Sequence, residues 1–90
     1  MLKLSMTTKF KKDLKVCQKR NYDLNLLNTI INILRIPEIL PCQNKDHELK
    51  GDFKNFRECY ILPDWILLYR YEDTELILDR TGTHSDLFKK

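Results

Sequence analysis

The sequence predicts an α+β fold in which an N-terminal strand and a helical hairpin pack on a three- to four-stranded antiparallel sheet. Three observations carry this reading. Apolar residues recur at helical spacing between Phe10 and Leu34, as on two amphipathic helices. From Arg57 onward the chain is rich in Ile, Leu and Tyr, the residues that suit a pleated surface. The runs there are separated only by Pro63-Asp64 and Glu72-Asp73-Thr74, and connections so short force successive strands to run antiparallel.

Taken in order, Leu2-Lys3-Leu4-Ser5 alternates apolar and polar residues like a short strand with one buried face. Thr7 or Thr8 then caps a first helix whose Phe10, Leu14 and Cys17 fall on one face, with the lysines left to water. Asn21-Tyr22-Asp23 breaks the pattern, and Asp23 is placed to cap a second helix from Leu24 to about Leu34. Its stripe is Leu27, Ile30, Ile31 and Leu34, widened by Leu26 and Ile33. Pro37 and Pro41 forbid helix, so Arg35 to Asp46 reads as a surface loop. A short strand from His47 to Gly51 precedes the meander Arg57 to Leu62, Trp65 to Tyr71 and Glu75 to Arg80. Within it Ile66-Leu67-Leu68-Tyr69 is almost continuously apolar, which suits a strand covered on both faces.

Ninety residues make one domain, 1–90, and a chain this short buries only roughly 60 to 65% of its unfolded surface. Any site is therefore expected to be a surface groove. With 42% apolar and 32% charged residues, neither a disordered nor a membrane protein is indicated. No apolar run approaches the about 18 residues of a span, and no signal peptide is seen, so a cytoplasmic location without a membrane partner is expected. Cys17, Cys42 and Cys59 are odd in number and lack metal-site spacing. Cys42, His47 and Cys59 fit no common ligand pattern, and neither a metal nor another cofactor is expected. Charge is uneven: Lys9, Lys11, Lys12, Lys15 and Lys19 face a single acid, Asp13, a stripe suited to a polyanion, an acidic protein or plain solvent.

The end of the chain gathers chemistry. Arg80, the break at Gly82, His84 and Phe88 put a cation, a bend, a group that titrates near neutral pH and a ring within nine residues. With Lys45-Asp46-His47-Glu48-Leu49-Lys50-Gly51, Phe56-Arg57-Glu58-Cys59 and Pro63-Asp64-Trp65-Ile66-Leu67-Leu68-Tyr69, the block Arg80-Thr81-Gly82-Thr83-His84-Ser85-Asp86-Leu87-Phe88 resembles the YafQ-type toxins of the RelE/ParE superfamily. The likeness spans the whole chain. It implies a RelE-like fold and a type II toxin: a ribosome-dependent endoribonuclease that cleaves mRNA and is silenced by a DinJ/RelB-like antitoxin. In such systems the toxin–antitoxin complex binds its own operator DNA through the antitoxin. The resemblance carries cleavage to His47, Asp64, Trp65, Arg80, His84 and Phe88. Tyr60 stands where many relatives have His.

Cleavage by the 2′-hydroxyl, without a metal, needs a base, an acid and charge stabilisation at phosphorus. His84, with His47 or Asp64, would move protons and Arg80 would neutralise the phosphate. Tyr60 can donate a proton, but its reference pKa of about 10 makes it a poor base. Phe88 and Trp65 would stack on bases; Arg57 and Lys50 would contact phosphate. Bland readings stand beside these: Asp64 as a turn residue, Trp65 as core, Phe88 as a plug, Lys50 and Lys54 as solvated, and Arg57 and Arg80 in cross-strand pairs with Glu58 or Asp79. The alternative function is a non-enzymatic inhibitor on the same scaffold, gyrase-directed or cleavage-dead.

Overall fold

Thr7 starts the first helix by accepting a hydrogen bond from the Phe10 amide at 3.1 Å on its hydroxyl. That hydroxyl also donates to the Asp79 carbonyl at 2.9 Å, tying the helix start to the last strand. In this computed structural model, which describes residues 1–36, 44–51 and 55–88, the order is β1 (Lys3–Met6), α1 (Thr8–Lys19), α2 (Leu24–Arg35), β2 (His47–Glu48), β3 (Arg57–Leu62), β4 (Trp65–Glu72), β5 (Glu75–Gly82) and α3 (His84–Phe88). Asn21, at φ 59°, takes the left-handed turn between the helices, and the Asp23 carboxylate caps α2 by accepting from the Asn25 amide at 3.0 Å.

Among the described residues the strands form a five-stranded sheet in the order β1-β5-β4-β3-β2. The antiparallel part, β2 to β5, follows the sequence reading. β1 adds what that reading lacked: it pairs parallel to β5, from Lys3 opposite Glu75 to Met6 opposite Leu78. Parallel pairing needs a long connection, and both helices lie between β1 and its neighbour. The α2 end is clamped to β1 through the Leu2 amide and Arg35 carbonyl at 2.9 Å, and through Arg35 Nε and the Leu2 carbonyl at 3.0 Å.

Both helices cover one face. Phe10, Cys17, Leu27, Ile30, Ile31 and Leu34 bury themselves against Cys59, Ile61, Trp65, Leu67, Tyr69, Leu76 and Leu78. At about 1.5–3 kcal/mol per buried large side chain, this layer is the main source of stability. On the opposite face Ile66, Leu68 and Leu87 form a smaller cluster, flanked by Leu49, Tyr60 and Phe88. Ile66 to Tyr69 are therefore buried from both sides, as their unbroken apolarity predicted.

Two expectations are corrected. β2 spans two residues rather than five, although the Leu49 amide still donates to the Phe56 carbonyl at 3.0 Å. The tail, of which only a bend at Gly82 was expected, forms the helix α3, whose Leu87 enters the second cluster. Of the long loop expected from Arg35 to Asp46, residues 37–43 lie outside the described residues, and so do Cys42 and Lys54.

Candidate active site

Alternation along β3 sends Cys59 and Ile61 into the helix-side core and turns Glu58 and Tyr60 to the other face. Register then builds a row across that face. His47 lies opposite Glu58, Glu58 opposite Leu68 and Leu68 opposite Arg80. The Glu58 side chain is only 5% exposed, yet two imidazoles reach its carboxylate: His47 Nε2 is 3.2 Å from Oε1, and His84 Nε2 is 3.5 Å from Oε2. The Tyr60 hydroxyl is 3.2 Å from the same His84 nitrogen. A buried carboxylate thus joins β2 to α3, with a phenol beside it.

Proton positions follow in part from the partners. His47 Nδ1 lies 2.6 Å from the Lys45 carbonyl, which can only accept, so Nδ1 carries a hydrogen. The contact between Nε2 and Glu58 then needs one further proton shared between imidazole and carboxyl. Burial first, and the Glu58 charge second, push the Tyr60 hydroxyl above its ordinary value, so it stands here as a donor. Phe88 stacks on His84 with ring centroids 5.8 Å apart at 26°, and the Lys45 ammonium sits 5.7 Å from the centre of the Tyr60 ring.

His84 is placed by α3. Thr83 and Asp86 form a reciprocal capping box: the Thr83 hydroxyl accepts from the Asp86 amide at 3.0 Å, and the Asp86 carboxylate accepts from the Thr83 amide at 2.9 Å. Arg20 at the end of α1 grips that carboxylate with bonds of 2.6 and 3.1 Å. Its guanidinium first, and the Thr83 amide second, hold the Asp86 carboxyl well below the usual carboxylate range. Gly82 makes room: at φ 154°, a Cβ there would lie 2.9 Å from Asp86 Oδ2.

Other expected residues fall elsewhere. Arg80 shares the face, but Leu68 intervenes, and at about 4.8 Å per strand its backbone stands roughly 10 Å from that of Glu58. Its guanidinium is held by Asp13 of α1 at 2.7 and 3.1 Å instead of lying beside His84. Trp65 is not a stacking platform here: it is 2% exposed, packs on Tyr22 and donates from its indole to Thr81 Oγ1 at 2.8 Å. Asp64 is exposed in the β3–β4 turn and lines a cleft with Asn21, Tyr22, Asp23, Leu62 and Trp65. Lys50 is exposed, as a solvated or phosphate-contacting lysine would be. Arg57 pairs with Asp46 at 3.1 Å rather than with Glu58, and Asp79 pairs with Arg70 at 3.1 Å rather than with Arg80. Among the described residues no group of three His, Cys, Asp or Glu side chains is gathered as a metal would require. Cys59 is fully buried, and burial pushes its thiol up to about 12.

Sequence reasoning passed over Glu58, Asp46 and Asp13 as site residues. For Glu58 a signal existed, since it alternates with Tyr60 along β3 and shares its face.

Residues 2–89 match the family model described as "Bacterial toxin of type II toxin-antitoxin system, YafQ". The chain belongs to this YafQ family. It is 43% identical over 82 residues to the mRNA interferase toxin YafQ of Escherichia coli K12, covering 88% of this chain and 87% of that one. A copper-bound mutant toxin from Helicobacter pylori superposes with a TM-score of 0.95 at 48% identity, covering 98% of this chain and 100% of that chain. The E. coli DinJ–YafQ toxin–antitoxin complex matches with a TM-score of 0.88 at 38% identity, over 98% of this chain and 99% of that chain. The YafQ-family fold therefore extends over the α+β framework described above.

Proposed function

We propose that this YafQ-family toxin is an endoribonuclease that cuts mRNA on the ribosome in the cytoplasm, with His84 at the reacting atoms, and that a DinJ-like antitoxin silences it. The observation that carries the reading is the buried Glu58 carboxylate bridging His47 and His84 on the sheet face that the two long helices leave open. A protein-binding surface has no need of a carboxylate with two imidazoles and a phenol on it. The accessible imidazoles of His84 and His47, with exposed Lys45, lie at the rim of this face, where a single strand of RNA can reach them.

In the reaction the ribose 2′-oxygen attacks the adjacent phosphorus while a base takes its proton. The 5′-oxygen leaves with a proton from an acid, giving a 2′,3′-cyclic phosphate and a free 5′-hydroxyl. His84 exchanges a proton with substrate; Glu58 holds the ring and balances its charge when protonated. Tyr60 and His47 complete the proton-bearing group, with Tyr60 as a donor. Arg80, aligned by Asp13, faces the phosphate side together with Lys9 and Lys12 of the same cleft. Phe88, stacked on His84, offers a ring on which a base can rest. Asp64, on its exposed turn, is open to messenger or ribosome rather than to the imidazoles. Repression through operator DNA falls to the antitoxin in the complex.

Mapping mRNA 5′ ends after brief induction tests the reading. New codon-phased ends are expected with the parent chain and none with His84→Ala; intact mRNA in arrested cells would contradict it.

A further inference from the structure

We infer that Asp46 is a positioning residue, whose bonds to Tyr69 and Arg57 hold residues 45–47 so that the His47 imidazole faces Glu58. This rests on reading the His47–Glu58–His84 group as the nuclease site. β2 has two residues and pairs only at His47 and Glu48, so its ladder is too short to fix a side chain by itself. Just before it Lys45 sits at φ 47°, a left-handed conformation that a lysine keeps only where its surroundings hold it. The Lys45 carbonyl is the one that binds His47 Nδ1, so this backbone turn sets the orientation of the ring.

The surroundings that hold it are side chains. The Asp46 carboxylate accepts from the Tyr69 hydroxyl on one oxygen and from Arg57 Nη2 at 3.1 Å on the other. Arg57 Nε donates back to the Tyr69 oxygen at 3.3 Å, closing the triad. The Tyr69 ring is 0% exposed in the helix-side core, which makes it a fixed post. Burial, and then its bond to Asp46, push the Tyr69 hydroxyl up, keeping it a donor. Asn44, just before Lys45, is itself anchored by donating to the Tyr60 carbonyl at 2.6 Å. Neighbouring side chains of an extended segment point to opposite faces, so Asp46 fastened to the helix side sends His47 to the Glu58 side.

The test compares Asp46→Asn and Tyr69→Phe with the parent by imidazole nitrogen NMR and by steady-state kinetics of cutting ribosome-bound mRNA. Tyr69→Phe removes only a hydroxyl from a packed ring and should still fold. In both variants the His47 ring signals should lose the fixed Nδ1–H form while those of His84 stay in place. The rate constant kcat should fall on the order of 10- to 100-fold with KM little changed. His47 signals identical to the parent's in the folded variants would overturn the inference whatever the activity, and so would shifted signals with an unchanged kcat. A parent protein that cuts no mRNA would sink the nuclease reading instead, while the spectra still decide the role of Asp46.

Discussion

At the scale of the residue, the chemistry turns on what surrounds one carboxylate. Glu58 is almost fully buried and supports both imidazoles, so replacing it tests orientation more than proton transfer. Glu58→Gln keeps the shape and removes the charge; the rate should drop on the order of 10²-fold, the scale of a misplaced catalytic group, as read by single-turnover cutting. Tyr60→Phe should cost less than His84→Ala, because a hydroxyl raised above its ordinary value can donate but is a poor base. These residues were unequally legible. His84, His47 and Tyr60 show in the sequence as titratable groups near turns and strands, whereas Glu58 looks there like half of a surface ion pair. Its role exists only once β2 and α3 arrive from both sides of β3. The pairing of Arg80 with Asp13 was hidden for another reason: β4 and β5 shift register between Leu68 and Tyr69, so Asp79 and Arg80 do not follow simple alternation.

At the scale of the element, long periodic segments were readable almost to the residue. Of the two candidates Thr7 and Thr8, Thr7 caps α1, Asp23 caps α2 as expected, and β3 spans the expected residues. The miss was α3, five residues long and too short to show a period, although Thr83 and Asp86 stand at the spacing of a capping box. That helix hangs on Arg20 and Asp86, which gives it a pH dependence of definite sign. A carboxyl held below its unfolded value adds stability that is fully present above about pH 4 and is lost as pH falls through the folded value. With side chains 39% and 31% exposed the pair is screened, so its contribution is modest and shrinks in salt. The Leu87 amide, bonded to the Thr83 carbonyl, should report α3 loosening as pH is lowered below about 4 in an NMR titration. In Arg20→Ala that loosening should begin at higher pH; an identical titration in parent and variant would show that the pair does not hold α3.

At the scale of the whole molecule, charge and topology divide the labour. One sheet face is filled by α1 and α2, and the other carries the cluster around Glu58. Among the exposed lysines of α1, Lys9 and Lys12 line the cleft where Asp13 meets Arg80, a place suited to a phosphate. Neutralising Lys11, Lys15 and Lys19 should weaken ribosome binding and flatten its salt dependence without touching the cluster, since each lost phosphate contact removes about 0.7–0.9 from the log–log slope. An unchanged slope would make the stripe a solvated face. The most direct trial of the account is the single-turnover rate of purified His84→Ala on ribosome-bound mRNA. The imidazole is exchanged at a half-exposed position in contact with Tyr60 and Phe88, so folding and antitoxin binding should persist. The predicted result is a rate lower by on the order of 10²- to 10⁴-fold; a folded variant that cuts as fast as the parent would contradict it.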